Sequence, residues 1–432
     1  MSDVRKLFKE SLSTFIFQIL LVCLAFIVNV FISRILGPEG KGEYDVIITF
    51  TFILRMLSLL GLDIAAAHFL GSKILDRQTV TYNIFFIGII STLIFTLSSL
   101  FFWSFVPLKY SLENYLFIST VPLSGLTLLS GFILLGSDKV LNYNVLESGK
   151  NFFYLIFLSL IFLLMGLNYV KISFCYLSSI FFTFILGLLF LYRYRLVDFK
   201  DNKFSFEYIK KLLNFGKYPY ISGFLSFLVY RVDVFIVYNF LGASATGIYG
   251  IAVVFVELMK YISKSMQLVV IAKIPTYKNL EGSRNIVLIM KFIFLILLFT
   301  GIVFIKFGKP LIVFMFSEKF LDSSLLIIYL VPGIIFLGLS QVMSGYLIAR
   351  GLVKIFILSN LCALLLNVLL DIIYIPIYEL TAASISTSIA YFASFIIILT
   401  YFLRKEKLEL SVFLPRRSDV KIIKGLFSRN NK

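Results

Sequence analysis

The sequence predicts an all-α polytopic membrane protein of about twelve transmembrane helices, arranged as two parallel six-helix repeats. Three observations lead there. Hydrophobic residues make up 60% of the 432 and charged residues only 15%, and a soluble chain has nothing to cover so much apolar surface with. Apolar runs of about 20 residues recur from end to end, each long enough to cross a bilayer as a helix. The third observation is that one stretch is written twice. VNVFI at Val28–Ile32 is followed by LGPEGKGEY at Leu36–Tyr44, and VDVFI at Val232–Ile236 by LGASATGIY at Leu241–Tyr249. The two copies lie about 205 residues apart, with one extra residue in the second. Two adjacent matches in the same order are the mark of an internal repeat.

The spans fall at roughly 12–35, 44–70, 80–106, 114–136, 151–167, 173–192, 217–241, 247–272, 286–306, 322–349, 355–377 and 381–403. All are expected to be helical, because lipid offers backbone polar groups no other partner. The first run is no cleavable leader: it is too long, and it ends on Arg34 and Gly37-Pro38 instead of a small-residue cleavage site. Cys23, Cys175 and Cys362 lie far apart inside apolar runs, with no C-x-x-C, and read as core thiols.

Basic residues set the orientation. With the N-terminus inside, cytoplasmic segments hold 27 Lys and Arg and external loops 5, which predicts both termini in the cytoplasm. That asymmetry accounts for most of the net charge of +17, so nucleic acid is not needed as a partner. Trp103, Tyr110 and Tyr115 flank one external loop as an aromatic belt would. The external loops are short and leave no room for a soluble domain. The chain therefore divides into an N-terminal lobe at 1–192, a cytoplasmic linker at 193–216, a C-terminal lobe at 217–403 and a basic cytoplasmic tail at 404–432. In the linker, Phe206, Ile209 and Leu213 share one face, as expected of an interfacial helix ending at Gly216. Val420, Ile423 and Phe427 form a similar stripe in the tail.

Further pairings extend the repeat. Val121-Pro122 answers Val331-Pro332, and GSDKVLNYN at Gly136–Asn144 answers GLVKIFILSN at Gly351–Asn360. Six spans per half is an even number, so both halves enter the membrane from the same side as parallel repeats. Transporters built this way hold substrate between the halves and rock one half against the other.

LGPEGKGEY closely resembles a loop of the polysaccharide-biosynthesis flippases, the O-antigen and oligosaccharide-lipid exporters of the multidrug/oligosaccharidyl-lipid/polysaccharide exporter superfamily. RVDVFIVYNFLGASATGIY at Arg231–Tyr249 is similar to their seventh span, Phe215-Gly216 with Pro219 to its start, and AKIPTYKNLEG at Ala272–Gly282 to their exit from the eighth. NVLLDIIYIPIYELTAASIST at Asn367–Thr387 resembles an N…IPxYGxxGAAxAT pattern, with Glu379 and Thr381 at two usually small positions. The resemblance covers the whole chain. It implies two six-helix lobes around a central cavity, and outward flipping of an undecaprenyl-diphosphate-linked oligosaccharide in a bacterial inner membrane. The implied partners are that lipid-linked oligosaccharide, membrane lipid and the polysaccharide polymerase machinery.

Ionisable residues inside lipid are costly and are functional candidates by default. Arg55, Arg231 and Lys260 lie near the middle of their spans. They either form internal ion pairs that fix packing or line a cationic cavity for a diphosphate, to which Arg presents a planar fork. The acids in spans are Asp63, Asp233, Glu257 and Asp371, candidates for ion pairing or for coupling to H⁺ or Na⁺; no cofactor is called for. Glu257 and Lys260 are i,i+3 and can pair. Arg231 and Asp233 point about 200° apart on a regular helix and cannot satisfy each other. Arg34 reads as snorkelling at the outer surface, and His68, the one histidine, as interfacial.

The reading that joins these observations is a non-enzymatic flippase working by alternating access, for O-antigen or capsule repeat units. The alternative is a multidrug or small-molecule exporter of the same superfamily. An exporter of organic cations favours acids in its cavity, and here three central bases tilt the choice toward an anion. A polymerase or membrane glycosyltransferase calls for a large external loop or an acidic catalytic pair on a loop; the external loops here are short, and the candidate acids Asp63, Asp233, Glu257 and Asp371 lie in spans.

Overall fold

The computed structural model of the protein describes residues 2–103, 111–197, 204–273 and 279–413. The tail stripe, Tyr110, and the side chains of Trp103 and of 272–282 lie outside the described residues. Eleven α-helices follow in order: α1 Ser2–Leu59, α2 Leu62–Ser72, α3 Arg77–Trp103, α4 Ser111–Ser119, α5 Val121–Gly136, α6 Val140–Met165, α7 Tyr169–Arg193, α8 Phe206–Lys273, α9 Asn279–Phe316, α10 Ser323–Ala349 and α11 Val353–Glu406. Among the described residues, nine helices are long and apolar enough to cross a membrane. The protein is thus an all-α, polytopic membrane protein.

Three of the nine run to 44, 66 and 54 residues, well beyond the roughly 20 that a bilayer requires. Each contains one residue off helical dihedrals. Gly37 has φ 66° and ψ −174° in α1. Gly242, 205 residues later, has φ 80° and ψ −176° in α8. These near-identical values lie in a region that only glycine enters cheaply. The third break is at Glu379 in α11, φ 52° and ψ −136°.

By internal contacts the chain forms two compact units. Unit 1 comprises Met1–Phe227, Val237–Gly250 and Met315–Phe320. Its core is built from Leu59 at the end of α1, Leu62 and Ala66 of α2, Ile84 of α3, Leu129 and Ile133 of α5, and Leu191 of α7. Leu60 and Gly61, both at positive φ, separate α1 from α2. There the chain meets Gly216: a Cβ on Gly216 would lie 2.5 Å from the Gly61 carbonyl oxygen. The start of α8 is tied to unit 1 as well. Ser205 N–H donates to Asn83 Oδ1 (2.8 Å), Leu212 is fully buried in this core, and His68 stacks on Phe215 at 3.9 Å. The apolar face read as interfacial is therefore divided: Ile209 is buried in protein, Leu213 is half-buried, and Phe206 stays 73% exposed.

One helix starts much earlier than its hydropathy suggests. The span expected at 151–167 begins at Val140 and runs 26 residues. Asn142, Asn144, Glu147, Ser148 and Lys150 dilute its first three turns; buried Asn144 donates to Thr14 Oγ1 of α1, and buried Ser148 to the Asn144 carbonyl one turn back. Of the thiols, Cys175 is buried, Cys362 partly so and Cys23 exposed.

Unit 2 comprises Leu228–Ile236, Ile251–Phe314 and Leu321–Lys432. Its most buried helix is α10. Phe336 of α10 meets Phe392 of α11 at 4.7 Å, and Tyr346 meets Phe402 at 5.3 Å. Ser388 Oγ donates to the Tyr329 carbonyl at 2.5 Å. Near the far end, Ser283 links Tyr346 and Glu406.

Candidate functional site

The break at Gly242 brings together two charges that a straight helix would hold far apart. Arg231 and Glu257 are 26 residues apart in α8, which on an unbroken helix means about 39 Å. They meet instead at 2.6 Å, Arg231 Nη2 donating to Glu257 Oε2. Lys260, one turn beyond Glu257, donates to the other carboxylate oxygen at 2.7 Å. It also lies 4.4 Å over the Tyr230 ring, and Tyr230 hydroxyl is held by Gln341 Nε2 at 3.3 Å. One carboxylate thus serves two cations, and the trio keeps a net positive charge. The side chains are 28%, 16% and 16% exposed for Arg231, Glu257 and Lys260.

Arg231 and Asp233 point to different partners, as their spacing requires. Asp233 accepts from the Val234 N–H at 2.9 Å and from Thr387 Oγ1 at 3.5 Å. Asp371, fully buried on α11, is close enough for its carboxylate and that of Asp233 to act on each other. Among the described residues, neither carboxylate oxygen of Asp371 and neither side-chain heteroatom of Asn367 has a hydrogen bond of good geometry, the Ser386 hydroxyl being the nearest donor to Asp371. Asn367 and Asp371 are i,i+4 and share a helix face. Orphaned buried oxygens of this kind are expensive unless a proton or cation joins them. The set of two carboxylates, an amide and a hydroxyl suits a hard, oxygen-seeking cation such as Na⁺, or a shared proton. Among the described residues no group of three or more His, Cys, Asp or Glu is placed to hold a metal ion.

In unit 1 the charges are arranged differently. Arg55 makes no ion pair among the described residues. Its guanidinium lies 4.1 Å over the Phe52 ring, its Nε is buried without an acceptor, and Asp63, Glu147 and Tyr176 are the groups near enough to act on it electrostatically. Asp63 occupies the first turn of α2, where the helix dipole favours an acid. Lys150 Nζ donates to Tyr176 hydroxyl at 3.4 Å and lies 4.8 Å from its ring; it too has no carboxylate within ion-pair distance among the described residues.

Sequence reasoning missed Lys150 and Glu147, because the polar turns of α6 read as a loop. It also missed the ionised half of the first repeated motif. Lys41 is fully buried and pairs with Asp45, and Tyr238 hydroxyl donates to Glu43 at 2.8 Å. Spacing in that motif does carry a signal, since Lys41 and Asp45 are i,i+4. Arg34 Nε donates to the Met315 carbonyl at 2.7 Å, so it caps the C-terminal end of α9 in addition to snorkelling.

These features sit in the fold of transporters of the multidrug/oligosaccharidyl-lipid/polysaccharide exporter (MOP) superfamily. The chain is similar to the Lipid II flippase MurJ in an inward closed conformation, at 18% identity and TM-score 0.75, covering 94% of this chain and 89% of that one. It is similar to an inward-facing multidrug resistance MATE family transporter at 14% identity and TM-score 0.74, covering 90% and 94%. A Pyrococcus furiosus MOP superfamily transporter, described by the reverse polarity of its binding pocket, matches at 15% identity and TM-score 0.67, covering 93% and 95%. No curated protein matches in sequence. The chain belongs to the polysaccharide biosynthesis protein family, whose model matches residues 7–276.

Proposed function

We propose that the protein is a flippase that carries an undecaprenyl-diphosphate-linked oligosaccharide outward across a bacterial inner membrane by alternating access. Its twelve spans form two parallel six-helix repeats, with both termini cytoplasmic. Dividing the three longest helices at Gly37, Gly242 and Glu379 turns nine membrane helices into twelve, and the matching dihedrals at Gly37 and Gly242 favour the repeat. The observation that carries the substrate class is the charge balance. Arg231 and Lys260 share one carboxylate, while Arg55 and Lys150 lack a carboxylate partner among the described residues. Half-buried cations at membrane depth without matching acids are costly, and an anionic substrate supplies the missing charge. The family supports a polysaccharide precursor as that anion. Asp233 and Asp371 are the coupling residues in this reading, taking a proton or Na⁺ as co-substrate.

The solved likenesses favour a second reading, a multidrug or small-molecule exporter, since several are multidrug transporters. One pair of assays separates the two. The gene should restore surface glycan in a flippase-null strain and leave drug susceptibility unchanged in an exporter-deficient one. Drug resistance without glycan would establish the exporter.

A further inference from the structure

A row of aromatic rings runs along one face of the early part of α8 and onto α1, all within unit 1. Tyr220, Phe224 and Phe227 are spaced i, i+4, i+7 and share a helix face. Tyr220 and Phe224 lie 6.0 Å apart and within 13° of parallel. Phe227 then stacks on Phe52 of α1 at 4.6 Å and 11°, and the Arg55 guanidinium ends the row 4.1 Å over the Phe52 ring. From Tyr220 to Phe227 the row follows about 10 Å of helix. Glycine leaves room for it. Tyr220 Cβ lies 3.0 Å from where a Cβ of Gly61 would be, and no described residue has an atom within 4 Å of where a Cβ of Gly223 would be.

These rings are not a sealed core: Phe52 is 36% exposed, and Tyr220, Phe224 and Phe227 are half-buried. Nor does the row suit hydrocarbon alone. Arg55 ends it, and Asp63 is near enough to Tyr220 and to Arg55 to act on both electrostatically. Ionisable groups at membrane depth face water or a partner. Open aromatic faces beside a carboxylate, a guanidinium and a phenol match one class of ligand. A pyranose carries C–H bonds on its face and hydroxyls around its rim, so the face packs on an aromatic ring while the rim needs donors and acceptors. A polyprenyl chain would use the rings but not the charges. From this we infer that Tyr220, Phe224, Phe227 and Phe52 form a sugar track, the subsite on which the glycan of a lipid-linked oligosaccharide stacks, with Arg55 at the end nearest the diphosphate. Stacking on successive rings tolerates changes in what is stacked, as where bases pile on aromatic side chains, so the track accepts glycans of different sequence.

The track rests on the flippase reading and gives the carbohydrate its place within it. It is tested in full-length protein in lipid nanodiscs with two radiolabelled probes, undecaprenyl diphosphate bearing an N-acetylglucosamine disaccharide and undecaprenyl diphosphate alone. The parent should bind the glycosylated lipid about tenfold more tightly, the scale of one or two ring contacts. Phe224→Leu and Phe52→Leu should each remove most of that margin, and Phe224→Tyr, which keeps the ring, should retain it. A margin that survives both leucine variants, or that is absent from the parent, overturns the track. Where a leucine variant fails to reach the membrane, Phe224→Trp decides in a Trp103→Phe background, which lacks the one native tryptophan. Its emission should shift with the glycosylated lipid alone; a shift common to both probes gives the rings to the polyprenyl chain and overturns the track. A parent that binds neither lipid fails the flippase reading, and the track with it.

Discussion

Arg231 and Glu257 meet at 2.6 Å from opposite sides of the Gly242 break, and Glu257 holds Lys260 with its second oxygen. The carboxylate is therefore the keystone of the trio. Glu257→Gln should strand two cations beside a neutral amide and lower stability by about 3 kcal/mol, the scale of a broken buried pair. Arg231→Gln leaves Glu257 paired with Lys260 and should cost less. Thermal unfolding in detergent ranks the two variants; equal losses would mean that the pairs are not shared as described. Arg231→Lys should keep partial transport, retaining charge without the fork.

Asp371 is fully buried, and among the described residues neither of its oxygens has a hydrogen bond of good geometry. Asp371→Asn removes the need for a proton or cation on this carboxylate, so the variant should fold at least as well as the parent. Its transport should no longer respond to an imposed Na⁺ or pH gradient. Glycan export measured against each gradient, normalised to membrane protein, checks this; an unaltered response would move coupling elsewhere.

Glu379 occupies φ 52°, ψ −136° in the middle of α11, where the family pattern places a small residue. A side chain there costs roughly 1–3 kcal/mol. Glu379→Gly should recover part of that, on the order of 1 kcal/mol after the added freedom of the unfolded chain, and raise the unfolding temperature without changing transport rate.

Topology has its own test. Lys210→Cys in the cysteine-free protein should react with an impermeant thiol reagent only in inside-out vesicles. Labelling in right-side-out cells would overturn the orientation set by the basic residues.

The helices were legible because composition and run length speak directly to lipid, and the matching breaks at Gly37 and Gly242 because the glycines recur at one spacing. Each of the seven ionisable candidates was found on charge in an apolar run alone. What sequence could not supply was partnership. Arg231 and Glu257 are brought together by a turn whose angle depends on Gly242, and Asp233 finds Thr387 154 residues away. Lys150 was missed for a different reason: three polar turns at the start of α6 lower its hydropathy to that of a loop.

Lys150 therefore supplies the test least coloured by expectation. It lies in the third turn of a membrane helix, on the face toward Tyr176. Glu147 is i−3 on the same helix yet forms no ion pair with it. A neutral phenol does not balance an ammonium, so in the flippase reading the balancing charge is the substrate's. Lys150→Ala and Lys150→Met should both lower glycan export about tenfold, the effect of ~1.4 kcal/mol of lost interaction, with normal protein in the membrane. Lys150→Arg should keep most of it. If Lys150 serves packing alone, methionine, similar in length and without charge, should export as well as the parent. Full export by Lys150→Met would remove this residue from the substrate path.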